Sequence, residues 1–223
     1  MRHKKQTAQE LVLQQGLLPL YYHQDLMVSI QVLKALYAAG IRTVEYTNRG
    51  PAALENFKGL VTLRDTELPG LQLGIGTIKT VADAASFIEA GADFIICPGL
   101  IPAVIRHTHE SGLLCIPGCM TTSEIISAEQ EGVTFIKLFP GNLIGPGYMA
   151  AIRDIFPGLH FMPTGGVDTT AENIREWFLA GVSAVGMGSK LISKKLMEDK
   201  AYDDIQSLTA QTLTTVQSVR KSL

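Results

Sequence analysis

Short apolar runs alternate with longer amphipathic ones along the whole chain, and this rhythm constrains the fold more than any other feature. Eight runs read as strands: LLPLYY (17–22), TVEYT (43–47), LQLGIGT (71–77), FIICPG (94–99), LCIPGC (114–119), FIKLFP (135–140), HFMPTGG (160–166) and AVGMGS (184–189). Helical patterns lie between them at 29–40, 80–91, 122–132 and 170–181, and these four end alike, in Gly40, Gly91, Gly132 and Gly181. Glycine takes the left-handed conformation that closes a helix at no steric cost. Helix, glycine, strand is therefore a repeated unit. Asp168 or Thr169, and Thr121 or Thr122, stand where N-caps belong.

Apolar strands alternating with helices specify a parallel sheet covered on both faces. Eight such units in 223 residues fit a (β/α)8 TIM barrel at the compact end of that fold's size range. A helix near residues 6–15 is expected to cap the barrel floor, and the stretch 202–219 to form the last helix. A doubly wound open sheet is the alternative. It calls for a GxGxxG turn, and GIGTIK (74–79) lacks the third glycine. No linker, low-complexity tract or charge block divides the chain, so residues 1–223 read as one domain.

Apolar residues make up 46% and charged residues 18%, the balance of a folded globular chain. A formal net charge of −2 leaves no electrostatic footprint for nucleic acid. The stretch MRHKK is basic, but no apolar run follows it, so no secretory signal is expected. No apolar run reaches the membrane-spanning length of about 18 residues, and the expected location is the cytoplasm. Cys97, Cys115 and Cys119 show no CxxC spacing and read as small hydrophobes in a reduced protein. No metal is expected: the five histidines share no ligand spacing, and His107 and His109, two apart in a helix, face different ways.

In a barrel, active sites form at the C-terminal ends of the strands. Lys137 sits within FIKLFPG (135–141), on the same face as Phe135 and Phe139. Lysine is rarely fully buried unless paired, so an ammonium here either reaches water along its stem or serves chemistry in a dry place. Glu45 alternates with Thr43 and Thr47, and Arg49 follows in the loop. A buried Glu45–Arg49 ion pair is the structural alternative. Thr77 stands at the rim of strand three, Pro-Gly pairs end strands four and five, and PTGGV (163–167) and GMGS (186–189) end the last two. Bare backbone N–H groups beside a helix N-terminus can hold an anion. A desolvated lysine has a lowered pKa, which gives a nucleophilic amine able to form a Schiff base with a carbonyl. A nearby carboxylate can move protons, and an arginine can bind a carboxylate through two hydrogen bonds.

In this order, VExTxR (44–49), GxGT (74–77), PGL (98–100), PGxxTxSE (117–124), FIKLFP (135–140), PTGG (163–166) and GxGS (186–189) resemble the class I 2-keto-3-deoxy-6-phosphogluconate (KDPG) aldolases, also called 4-hydroxy-2-oxoglutarate (KHG) aldolases. The likeness spans residues 15–195. It implies a homotrimeric barrel that cleaves a 2-keto-3-deoxy or 4-hydroxy-2-oxo acid to pyruvate and an aldehyde, with no cofactor. It implies Lys137 as the Schiff-base residue and Glu45 as the acid/base. It also implies Arg49 and Thr77 as binders of the pyruvate carboxylate and Phe139 as an aromatic wall. Gly165, Gly166 and Ser189 match the phosphate pocket, with Gly188 beside it; Pro98 and Thr164 complete the substrate-binding set. Strand one departs from the family pattern at PLYYHQD, where Tyr21, Tyr22 and His23 bear on the substrate's far end, and so does the loop TNRG. Two other readings stand beside this one: a phosphosugar isomerase or epimerase on a similar barrel, and a barrel that binds a sugar acid without turning it over.

Overall fold

A computed structural model describes residues 2–223, with side chains from Thr7 onward. The side chains of the basic stretch at 1–5 lie outside the described residues. The strands are β1 (Leu17–Tyr21), β2 (Thr43–Thr47), β3 (Gln72–Gly76), β4 (Phe94–Ile96), β5 (Leu114–Ile116), β6 (Gly118–Cys119), β7 (Phe135–Leu138), β8 (His160–Pro163) and β9 (Val185–Met187). The helices are α1 (Arg2–Gln15), α2 (Leu26–Ala38), α3 (Ala53–Glu67), α4 (Val81–Glu89), α5 (Pro102–Glu110), α6 (Thr122–Gln130), α7 (Gly141–Ile152), α8 (Ala171–Ala180), α9 (Lys194–Glu198) and α10 (Tyr202–Lys221). All eight expected strands are present. The run at 114–119 divides into β5 and β6 at Pro117, which has no N–H to give to a ladder.

β5-β4-β3-β2-β1-β9 form one parallel sheet and β6-β7-β8 another. The order runs with the sequence and places β1 beside β9. A doubly wound sheet instead reverses its order at a switch point, so the open-sheet alternative does not describe this chain. A parallel bridge joins Thr164, just past β8, to Gly186 in β9.

Side chains leave each strand to alternate sides and build two cores. Val44, Tyr46, Leu73, Ile75, Val185 and Met187 pack outward among the helices. Leu18, Phe94, Ile96, Leu114, Ile116, Phe135 and Met162, drawn from strands of both sheets, meet on the inner side with Ala8 and Val12 of α1. Side chains from opposite strands can meet this way only if the sheet curls. The α1 helix thus plugs the floor as expected. Its last residue, Gln15, accepts from the Arg42 amide at 2.6 Å and donates to the Thr43 carbonyl at 3.1 Å. Among the described residues no helix is long and apolar enough to cross a membrane.

Local signals explain the helix ends. Gly40, Gly91, Gly132 and Gly181 all have positive φ, between 73° and 105°. Asp25 caps α2 by accepting from Met27 and Val28, so that helix starts earlier than its apolar pattern. Thr121 caps α6, and its own amide donates back to Glu124 at 2.8 Å, completing a capping box. Thr170 caps α8, in place of Asp168 or Thr169. Asp168 is occupied elsewhere, pairing with Lys190. Cys97, Cys115 and Cys119 are unpaired and buried, and burial pushes the Cys119 thiol up to about 12. Thr121→Ala removes the cap of α6 and is expected to cost about 1 kcal/mol of stability, measured by chemical denaturation. An unchanged midpoint would show that the capping box contributes nothing.

Candidate active site

Ten of the eleven residues expected at the site line one cavity of about 720 Å³ at the C-terminal ends of the strands: Arg49, Thr77, Pro98, Lys137, Phe139, Thr164, Gly165, Gly166, Gly188 and Ser189. Glu45, the eleventh, lies directly behind the floor and is fully buried. Backbone register sets this arrangement. In β7, Lys137 pairs with Gly118 on one side and Met162 on the other; Glu45 in β2 pairs with Leu20 and Gly74. The two side chains leave distant strands and converge, with Lys137 Nζ 3.6 Å from Glu45 Oε1. Lys137 is only 5% exposed. Its ammonium also lies 5.3 Å from the centre of the Phe139 ring, within range of a cation–π attraction. Glu45 takes Lys137 as its partner, not Arg49, so the Glu45–Arg49 ion pair is not formed.

Neither carboxylate oxygen of Glu45 accepts a hydrogen bond from the described residues. A buried ion pair at 3.6 Å without hydrogen bonds is a poor way to gain stability, because desolvation of both charges opposes their attraction. The arrangement therefore points to chemistry rather than to structural support.

Around this pair, glycines act as spaces. A Cβ on Gly76 would fall 1.7 Å from Glu45 Oε1, and one on Gly74 would fall 2.1 Å from the Phe94 ring. The GxGT motif thus leaves room for the glutamate and for the inner core. Thr77, the next residue, has φ of 64°. A β-branched residue in that region is strained, and such strain gathers at ligand sites. Gly165 and Gly166 have φ of 93° and 78° and expose their backbone to the cavity ahead of α8. Thr164 is buried, its hydroxyl accepts and donates nothing among the described residues, and it packs where a Cβ on Gly186 would stand at 2.4 Å.

Other lining residues escaped the sequence reading: Thr47, Gln24, Lys194, Met197 and Glu198. The last three belong to α9. Its signal was legible: Ser193 caps a short helix after the last strand, where barrels of this type place an anion-binding element. Lys190 also lines the cavity, and it pairs with Asp168 at 3.0 Å, linking the loops after β9 and β8. That contact holds the Asp168 carboxyl below the usual carboxylate range. Of the first-strand residues, Tyr21 turns outward: its hydroxyl donates to the Ser29 carbonyl at 2.7 Å, and burial raises its pKa. It is a core residue. Tyr22 and His23 line the cavity, and Tyr21, although buried, borders it as well.

Comparison with known proteins gives a concordant picture. The model of the family "KDPG and KHG aldolase" matches residues 9–208. A 2-dehydro-3-deoxy-phosphogluconate aldolase of Pseudoalteromonas atlantica is 33% identical over 210 residues, spanning 93% of this chain and 94% of that protein. A KHG/KDPG aldolase of Escherichia coli is 30% identical over 214 residues, with 95% and 97% covered. The crystal structure of a KDPG aldolase from Legionella pneumophila, with pyruvate captured as a covalent carbinolamine, superposes with a TM-score of 0.84 at 27% identity, covering 94% of this chain and 98% of that one.

The crowding at Gly76 generates a prediction. Gly76→Ala is expected to destabilise the protein by about 1–3 kcal/mol through overpacking, and the same change in a Glu45→Ala background should cost much less. Equal losses in both backgrounds, read from denaturation midpoints, would show that the carboxylate is not what the glycine accommodates.

Proposed function

The chain belongs to the KDPG and KHG aldolase family, and on that premise we propose that it is a Schiff-base (class I) aldolase. It reversibly cleaves 2-keto-3-deoxy-6-phosphogluconate, or a related 2-keto-3-deoxy or 4-hydroxy-2-oxo acid, to pyruvate and an aldehyde. The observation that carries this reading is the buried Lys137–Glu45 pair at the floor of the cavity, 3.6 Å apart and without hydrogen bonds to the carboxylate.

The chemistry runs as follows. Lys137 passes its proton to Glu45, the free amine attacks the C2 carbonyl, and Glu45 returns the proton that lets the carbinolamine lose water. The resulting iminium draws the electrons of the C3–C4 bond towards nitrogen. As that bond breaks, the C4 hydroxyl gives its proton to the Glu45 carboxylate, which can then protonate C3, and the C4 fragment leaves as an aldehyde. The enamine that remains is protonated at C3, and water then releases pyruvate and restores the amine. Arg49 and Thr77 hold the pyruvate carboxylate at the β2 and β3 rims. Phe139 and Pro98 wall the reacting carbons, and Thr164 offers its unused hydroxyl to the substrate. Gly165, Gly166, Gly188 and Ser189 receive the distal anion. An isomerase has no need of this amine, and a silent binder has no need of a buried pair that weakens the fold.

With this chemistry we infer a closed (β/α)8 barrel forming a single domain over residues 1–223. Only Pro117 separates β5 from β6, and the Thr164–Gly186 bridge joins β8 to β9. A cytoplasmic homotrimer fits the family resemblance. Exposed apolar side chains at Met120, Ile126 and Leu143 supply surface for contacts between subunits.

Two outcomes test the reading. Borohydride reduction with pyruvate should place an adduct on the peptide holding Lys137, and Lys137→Ala should abolish both adduct and turnover; an adduct on another lysine would refute the assignment. Glu45→Gln should lower kcat by about 100-fold, in line with lost acid–base catalysis, while pyruvate still binds. A wild-type rate would make Glu45 structural.

A further inference from the structure

Gly50 follows Arg49 in the loop after β2, and its backbone is not in the left-handed region. Conformation therefore does not require glycine here; space does. A Cβ at Gly50 would fall 2.2 Å from the Tyr22 hydroxyl and 2.9 Å from its Cζ. The phenol of Tyr22 thus reaches across from the end of β1 and lies on the bare backbone beside Arg49.

Everything beneath that phenol is fixed. Its ring leans on Tyr46, with centroids 5.7 Å apart and planes tilted by 50°. The Tyr46 hydroxyl donates to the His23 carbonyl at 2.8 Å, and the Asn56 amide donates to the same carbonyl at 3.1 Å and to the Gln24 carbonyl at 3.0 Å. His23 Nδ1 accepts from the Asp25 amide at 3.1 Å. The segment after β1 is therefore pinned through its backbone, which leaves the Tyr22 side chain committed to the cavity it lines. Its hydroxyl makes no hydrogen bond with any described residue, so its donor is available to a ligand.

The sheet order says which part of a ligand it meets. β1 lies between β2, which leads to Arg49, and β9, which leads to Gly188 and Ser189. A chain stretched from the carboxylate anchor to the anion pocket passes the end of β1 on its way. On the aldolase reading, on which this inference rests, that middle portion is the aldehyde half beyond the bond that breaks. We propose that Tyr22 is a specificity-determining residue: its hydroxyl hydrogen-bonds the hydroxyl that the aldehyde itself carries on the carbon next to its carbonyl, and Gly50 is a glycine to let it do so. The protein therefore prefers hydroxylated aldehydes of the glyceraldehyde type over glyoxylate, which has no such hydroxyl.

The test compares two acceptors in condensation with pyruvate: glyceraldehyde 3-phosphate and 3-oxopropyl phosphate, which is the same length but lacks the hydroxyl. Glyceraldehyde and 3-hydroxypropanal form the equivalent unphosphorylated pair. Tyr22→Phe should cut the preference for the hydroxylated partner, as a ratio of kcat/KM values, by about fivefold to tenfold, the worth of one neutral hydrogen bond. An unchanged ratio overturns the proposal. A second arm reads the interlock alone: Gly50→Ala should lower the melting temperature and the same ratio in the parent chain but do neither in a Tyr22→Ala background. Equal effects in both backgrounds overturn the role of Gly50. Borohydride trapping of pyruvate on the parent protein separates the two levels. Trapping without a Tyr22 effect sinks this inference alone, whereas no trapping sinks the aldolase reading and this one with it.

Discussion

The contact between Lys137 and Glu45 is the constraint on which the rest of the architecture turns. Two opposite charges 3.6 Å apart, from strands of different sheets, sit almost wholly out of water. In so dry a place each charge has lost its hydration, and the attraction returns only part of that cost. An apolar pair of similar volume would hold the fold at least as well. What the pair supplies is an amine and a carboxylate in mutual reach, facing a cavity large enough for a small organic acid.

The neighbouring sequence reads as accommodation of that contact. Gly76 vacates the volume the carboxylate fills, and Gly74 vacates the volume of the Phe94 ring below it. Phe135, one pleat below Lys137, faces the same inner core as Phe94 and Met162. The floor beneath the lysine is therefore close-packed hydrocarbon, which fixes the stem of the side chain and leaves its tip as the polar atom at the bottom of the cavity. At the rim the logic changes to backbone. Thr77, Gly165 and Gly166 all have positive φ, so amides at the strand ends take orientations that ordinary extended chain would not give them.

The cavity also carries cations on two sides. Arg49 stands on the β2 side. Lys190 and Lys194 stand on the β9 side, the first tied to Asp168 at 3.0 Å and the second to Glu198 at 3.3 Å. Cations at both ends suit a substrate that is anionic at its ends, with the Lys137–Glu45 pair beneath its middle. The Asp168–Lys190 pair is exposed enough that solvent weakens it, so an anion can compete with the carboxylate for the lysine.

Much of this was legible in the sequence, because its causes are local. Strand and helix alternation, the four glycines with positive φ, and the Thr121 capping box follow from short-range sterics and hydrogen bonding. The same is true of the side on which Lys137 and Glu45 project, since the pleat has a period of two. Three-dimensional packing decided the remainder. Only the register of β2 against β3 shows that Gly76 is bare because of Glu45. Only the meeting of two loops 28 positions apart shows that Gly50 is bare because of Tyr22. Tyr21 and Tyr22 are adjacent and chemically identical and both lean on Tyr46, yet the Tyr21 hydroxyl is spent on the Ser29 carbonyl while the Tyr22 hydroxyl makes no hydrogen bond with any described residue. The sequence by itself determined which elements form and which chemical groups stand at their ends, because those depend on neighbours along the chain. The tertiary structure alone decided which of those groups touch, because contact depends on strand order and register that no local signal encodes.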